Sequence, residues 1–330
     1  MHINKSYKQT QKTPQSNQNK QNQNSNGTDI NSNSNTDQQN QHQNANNIES
    51  QEVKHVKIVD SIRLDQKYFT QGLEFINSTH LLISSGLYKE SFISILEIEN
   101  IYGKGSKSEQ VIARNLKQVQ KQDNSRQSFA EGATLYPKDN LIYQLTWKER
   151  KVFVYNLNDL TLNTTYDLPQ PIREGWGLTH DQDYLYISEG TNKIYKVLPV
   201  PATDDQDSGI SLDKNSQKLQ IIETINTVAA QDRRLQLNEL EIINETYIYA
   251  NNYQTNQLYK IVKEDGRTVR VWDMQEIYDI NRAYVESLGD GMKYDWGNNV
   301  MNGIAYNQEN GRFWITGKRW DHVYEVELTD

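Results

Sequence analysis

The run "FAEGATLY" at residues 129–136 holds Glu131 between Ala130 and Gly132, inside an otherwise strand-like stretch. A carboxylate in such a place, once burial lifts its pKa, is suited to taking a proton and handing it back. Four other segments align with it: "QGLEF" from Gln71, "WGLTH" from Trp176, "NELEI" from Asn238 and "NGIAY" from Asn302. Their first position therefore carries Gln71, Glu131, Trp176, Asn238 and Asn302, four polar residues and one large aromatic. A purely structural ring would carry small or apolar residues there. The second position is Gly in four segments and Glu239 in "NELEI", and Gly lets backbones approach closely. A later aligned position carries Leu87, Trp147, Gly190, Tyr253 and Lys318, which supplies two aromatic walls and a cation. Phe69 and Phe129 stand two residues before Gln71 and Glu131, on the same side by strand alternation. Taken singly, Trp147 and Tyr253 read as core packing and Lys318 as a solvated lysine. Their shared position in the repeat points to a pocket with one carboxylate, one lysine, several aromatic faces, and the amides Gln71, Asn238 and Asn302.

Such a pocket needs elements that bring distant segments together. Each aligned segment is followed by a second strand-like run ("HLLISSGL", "NLIYQLTW", "DYLYISEG", "TYIYANNY", "RFWITGK") and a third ("FISILEI", "KVFVYNL", "NKIYKVL", "NQLYKIV", "HVYEVEL"). Turn clusters such as "PKDN" and "NQENG" separate the first run from the second, as in hairpins. A fourth, outer run ("EQVIARNL", "LNTTYDL", "LQIIETI", "RTVRVWDM") completes four repeats, and the fifth ends with the chain. One spare run, "HVKIVDSIRL" at 55–64, lies before the first repeat. The expected fold is all-β: a five-bladed β-propeller whose last blade is closed by this N-terminal strand, leaving no open edge. In a propeller the first strand of each blade lines the central channel, which makes the aligned positions a ring. The polar stretches "YGKGSKSEQ", "QKQDNSRQS" and "ATDDQDSGISLDKNSQ" read as surface insertions. "NRAYVESLGDGMKYDWGNN" reads as loop, with a lid over the channel mouth as the alternative.

Composition divides the 330 residues into two regions. From 1 to 52 nearly half the residues are Asn or Gln, too polar to offset the entropy of ordering, so this segment is expected to be disordered. Residues 53–330 are enough for one sizeable domain. No apolar run reaches the ~20 residues of a membrane span. The N-terminus lacks the apolar core of a signal peptide. With no cysteine, disulfides and thiolate chemistry are excluded. A net charge of -8 without a basic stripe argues against nucleic acid. Glu189, Glu239 and Glu241 are candidate metal ligands, but their spacing supports no site, and no metal or cofactor is expected. Asn77, Asn163 and Asn244 lie in glycosylation sequons that matter only for a secreted chain.

"FTQGLEF", "FAEGATLY", "YQLTW", "GWGLTHD", "LNELEIINETYIYANNYQTN" and "NGIAYNQENGRFWITGKRW" together resemble the plant-type glutaminyl cyclases, or glutamine cyclotransferases. The resemblance spans about residues 66–326. It implies a five-bladed propeller that converts N-terminal glutamine of peptides to pyroglutamate, releasing ammonia without a catalytic zinc. It carries the catalytic glutamate onto Glu131 and pocket residues onto Phe69, Gln71, Phe129, Trp147, Trp176, Asn238 and Lys318. Where the family has Trp in "ANVWQT", this chain has Tyr253 in "ANNYQT", which keeps an aromatic wall and adds a hydroxyl. The expected catalytic groups are Glu131 and Lys318. Tyr253 and Asn302 join the other pocket residues as substrate contacts. Expected partners are peptides or proteins with N-terminal Gln, acted on by a monomer with no nucleic acid and no membrane span. The family is often extracytoplasmic, and the sequence leaves the compartment open. The alternative is a propeller that binds peptides or small ligands in the same pocket without turnover.

Overall fold

The computed structural model describes residues 53–102, 111–200, 218–229, 234–289 and 294–329. The Asn/Gln-rich segment, the stretch 202–217 and nearly all of "YGKGSKSEQ" lie outside the described residues. Within them are twenty strands and one helix. The first set of four comprises β2 (Thr70–Asn77), β3 (His80–Ser85), β4 (Phe92–Tyr102) and β5 (Val111–Asp123). The second is β6 (Ala130–Tyr136), β7 (Leu141–Thr146), β8 (Lys151–Asn156) and β9 (Leu162–Asp167). The third is β10 (Leu178–His180), β11 (Leu185–Ser188), β12 (Lys193–Val200) and β13 (Lys218–Asn226). The fourth is β14 (Leu237–Ile243), β15 (Tyr247–Asn252), β16 (Gln257–Val262) and β17 (Thr268–Asp273). The last is β18 (Met301–Asn307), β19 (Arg312–Gly317) and β20 (His322–Leu328), with β1 (Val53–Arg63) antiparallel beside β20. Three residues of β1 also run parallel to the end of β17. The result is an all-β, propeller-like arrangement of twisted antiparallel sheets.

Local chemistry explains the hairpins. In four sets a short polar side chain turns the chain between first and second strands by accepting the N–H two residues on. These acceptors are Asn77 to Thr79 (2.9 Å), Asp139 to Leu141 (3.0 Å), Asp181 to Asp183 (2.9 Å) and Asn307 to Glu309 (2.9 Å). Apolar residues fill the space between neighbouring sets. Ile93 and Ile142 join the first to the second, Tyr166 and Leu185 the second to the third, and Ile194 and Ile248 the third to the fourth. Trp272 and Phe313 join the fourth to the last. Leu81 and Trp314, with Ile62 of β1, join the last to the first.

Two stretches differ from the sequence reading. Gln120–Asp123, read as part of an insertion, continues β5, because β4 is long and pairs with it from Tyr102 opposite Val111 to Phe92 opposite Asp123. Its polar residues alternate between half-buried and exposed, as an outer strand allows. Asn281–Ser287, read as loop or lid, belongs to helix α1 (Gln275–Ser287), which buries Ile277, Asn281 and Val285 on one face. The polar Asn281 interrupts the apolar stripe and hides the helical period.

The innermost strands β2, β6, β10, β14 and β18 lie side by side, with β18 again beside β2. Glycine permits this closeness. A Cβ on Gly132 would lie 2.5 Å from Leu178 N, and one on Gly177 only 1.8 Å from Asn238 O. Where Glu239 replaces Gly, its carboxylate accepts the Leu73 N–H of β2 at 3.1 Å. Gly177→Ala is therefore expected to cost about 3 kcal/mol of folding stability through overpacking. Gly297→Ala, whose nearest neighbour is a side-chain oxygen at 3.5 Å, should leave it unchanged. Denaturant unfolding of both variants checks this.

Candidate active site

Five segments of the repeat deliver their first residues, and the residues just past their second strands, to one mouth of the assembly. There all five contribute to the lining of a cavity of about 750 Å³, although Asn302 and Gly190 stand behind it. Phe69, Gln71, Phe129, Glu131, Trp147, Trp176, Asn238, Tyr253 and Lys318 all face it. Glu131 and Lys318 are each only 6% exposed.

Asn302 is the exception among the expected pocket residues. It is fully buried behind Gln71, donating from Nδ2 to Gln71 Oε1 at 2.9 Å and to Thr70 O at 3.1 Å. Its own oxygen accepts from Asn251 Nδ2 at 3.3 Å. Asn302 thus orients Gln71 instead of lining the cavity. Asn238 Oδ1, beside the cavity, is buried without a hydrogen-bond partner.

The alignment past the second strands also needs correction in the first repeat. Trp147 N donates to Phe129 O, Tyr253 N to Gln236 O and Lys318 N to Val300 O. The corresponding bond in the first repeat is Gly86 N to Phe69 O, so Gly86, not Leu87, is the equivalent residue. Leu87 still reaches the cavity from the next position, with φ of 96°. Gly190 holds its expected position as the floor beneath Trp176, whose ring a Cβ there would meet at 2.5 Å.

The aromatic walls support one another. Phe129 lies edge-on to Phe69 (6.1 Å), Tyr88 (5.4 Å) and Trp147 (5.5 Å). Trp176 meets Tyr253 edge-on at 5.3 Å. The Lys318 ammonium sits 5.3 Å from the Phe69 ring centre and 5.1 Å from that of Tyr253, so the rings replace part of its lost hydration. Burial pushes the Glu131 carboxyl well above the ordinary range, and Lys318 partly opposes this, while Glu174 and Glu149 add to it. Burial pushes Lys318 down, against the opposing pull of Glu131. The arrangement is a shielded carboxyl near a cation, in a slot of aromatic faces, such as could serve acid/base chemistry.

Sequence reasoning missed Glu174 and Glu149. Glu174 Oε2 accepts the indole N–H of Trp147 at 2.6 Å and of Trp176 at 3.0 Å. Glu149 accepts Phe129 N at 3.2 Å and the Tyr88 hydroxyl at 2.9 Å. Each stands two residues from a pocket tryptophan, in "TWKER" and "REGWG". It missed as well the short side chains that fasten one set to the next. Ser84 donates to the Glu131 carbonyl, Ser188 to Asn238 O (2.6 Å) and Asn251 to Met301 O (2.9 Å).

The candidate metal ligands are not brought together. Glu189 accepts the Tyr195 hydroxyl at 2.7 Å and Arg173 N at 3.0 Å, while Glu239 and Glu241 are buried on β14 with main-chain partners in β2 and β18. Among the described residues no three His, Asp or Glu side chains are grouped to hold a metal ion.

The raised Glu131 pKa fixes a sign for stability. The unfolded chain gives up this proton in the ordinary carboxylate range while the folded protein keeps it to higher pH. Between the two the unfolded state binds fewer protons, so stability falls as pH rises. Relative to Glu131→Gln, which cannot ionise, the parent is expected to lose about 1.4 kcal/mol per pH unit across that window. Denaturant midpoints of both proteins, compared at increasing pH, measure the difference.

Residues 31–328 match the family described as glutamine cyclotransferase. The glutaminyl-peptide cyclotransferase of Arabidopsis thaliana is 26% identical over 280 residues, covering 84% of this chain and 73% of that protein. Among solved structures, the glutaminyl cyclase of Myxococcus xanthus shares the fold with a TM-score of 0.59 at 22% identity, over 84% of this chain and all of its own. With the match running across nearly the whole chain, every repeat and the cavity they enclose included, this protein belongs to the glutamine cyclotransferase family.

Proposed function

We propose that this protein is a glutaminyl-peptide cyclotransferase, converting N-terminal glutamine of peptides or proteins to pyroglutamate with release of ammonia. The observation that carries the reading is Glu131, a buried carboxyl with a raised pKa facing an aromatic slot that also holds Lys318 and the amides of Gln71 and Asn238. The cavity is ample for a glutaminyl side chain folded back on its own amine.

In the reaction the neutral α-amino nitrogen attacks the γ-carboxamide carbon. A C–N bond forms and closes a five-membered ring, and the carbonyl oxygen gains charge. The ring is tethered, so the slot's main task is to hold the folded-back conformer. Trp147, Trp176 and Tyr253 confine the side chain and keep water out. The Lys318 ammonium and the Gln71 NH₂ stabilise the oxygen. Asn238 Oδ1 accepts from the substrate NH₂. Glu131 takes the proton released by the attacking nitrogen and gives it to the departing one, so that the C–N bond breaks with ammonia as the leaving group. Burial raises the pKa of this carboxyl, which makes its ionised form a stronger base than an ordinary carboxylate.

We assign the catalytic domain to residues 53–330 and read its architecture as a five-bladed propeller closed by β1. Supporting this are the pairing of β1 with β20, the return of β18 to β2, and the apolar contact of Leu81 with Trp314 and Ile62. Arg114 of β5 also reaches both Asp60 of β1, at 2.6 Å, and Glu325 of β20.

A Gln-initiated peptide incubated with the purified protein is expected to lose one ammonia, seen by mass spectrometry and by ammonia assay. Glu131→Gln should lower the rate about 10²–10⁴-fold while retaining the fold. Absence of turnover above the spontaneous rate in the parent would leave a ligand-binding propeller as the reading. For the closure, Ile62→Ala is expected to destabilise the whole domain by about 2–5 kcal/mol in one cooperative transition. Loss of the β1 signal alone, with the rest unchanged, would contradict it.

A further inference from the structure

We infer that Glu174 is a positioning residue that clamps the indoles of Trp147 and Trp176 and so sets the width of the substrate slot. The inference rests on the cyclase reading for what the slot holds, but the clamp itself stands on geometry. Trp147 follows β7 and Trp176 precedes β10, so the two rings belong to different strand sets. Glu174, in the connection between β9 and β10, accepts from both indoles, and it does so through one oxygen. A half-buried indole N–H needs an acceptor. An ionised carboxylate is a stronger one than water, and two charge-assisted bonds to a single oxygen hold both rings in one relative orientation.

The backbone around Glu174 is itself held. Gly175 N donates to Trp147 O at 3.3 Å, Trp176 N to Ser188 O at 3.1 Å, and Gly132 N, next to Glu131, to Trp176 O at 2.7 Å. The clamp is therefore tied to the strand that carries the acid/base group. Among the described residues neither indole N–H donates to another acceptor, so removing the carboxylate frees both N–H groups at once.

Glu174 also acts on Glu131 by its charge, and the two effects can be separated. The charged and titratable groups around Glu131 are Lys318 after β19, Glu149 after β7 and Glu174 before β10, with Tyr253 and Tyr88 feeling its charge in return. Glu149 shares the charge effect but accepts from Phe129 N and Tyr88, and touches neither indole. It is the natural control.

The experiment compares the parent, Glu174→Gln, Glu174→Ala and Glu149→Gln by steady-state kinetics against pH on a Gln-initiated peptide. The same four proteins, ¹⁵N-labelled at tryptophan, report their indole N–H resonances. Glu174→Ala is expected to raise KM about 10-fold and to move two indole resonances together. Glu174→Gln, which keeps an acceptor, should restore KM to within about 2-fold of the parent. Both, like Glu149→Gln, should move the acidic limb of kcat/KM to lower pH, and Glu149→Gln should leave KM and the two resonances in place. If Glu174→Ala kept the parent KM and indole spectrum and lost only thermal stability, the positioning role would be overturned. An inactive parent would overturn the cyclase reading instead. The paired resonance shift would in that case still establish the clamp, and its absence would remove the clamp too.

Discussion

The innermost strands approach one another so closely that the backbone of one leaves no room for a β-carbon on the next, as at Gly177 against the Asn238 carbonyl. Everything at the site follows from that contact. Strands this close cannot shift along one another without collision, so the residue before each close approach is held in place. Glu131 precedes Gly132, Trp176 precedes Gly177 and Gln71 precedes Gly72. Hydrogen bonds from short side chains, Ser84 to the Glu131 carbonyl and Ser188 to that of Asn238, add direction to the steric fit.

A rigid ring of this kind lets the protein hold groups that are individually unfavourable in its interior. A buried carboxyl and a buried ammonium each lose hydration, and here each recovers part of it from the other, the ammonium also from the faces of Phe69 and Tyr253. The aromatic walls shield these charges from the water that would weaken every charge interaction inside.

Much of the fold was legible in the sequence because a repeat is a global signal carried by local patterns. The turn residues Asn77, Asp139, Asp181 and Asn307 mark the hairpins, and the alternating apolar runs mark the strands between them. Helix α1 was not legible, since Asn281 breaks its apolar stripe, and neither was the length of β5, whose polar residues resemble a loop until β4 is seen beside them. Of the site, the residues at the first position of each repeat were visible, and most of them reach the cavity. Asn302 does not, because sequence alignment gives a residue's place along a strand and not which neighbour stands in front of it.

The sequence by itself determined which residue types the ring would present, through the spacing of "QGLEF", "EGATL", "WGLTH", "NELEI" and "NGIAY", and it determined that distant segments had to meet. Only the tertiary structure decided how they meet. Gly86 takes the place that simple counting gave to Leu87, because the first hairpin is one residue shorter: Leu73 pairs with Ile83, whereas the equivalent Ala133 pairs with Gln144. Glu174, two residues from Trp176 along the chain, finds Trp147 as well only because two strand sets pack side by side. Hydrogen-bond partners, burial and the resulting shifts of Glu131 and Lys318 depend on distances between residues far apart in the chain. No local pattern encodes those distances; the packing of the sheets sets them.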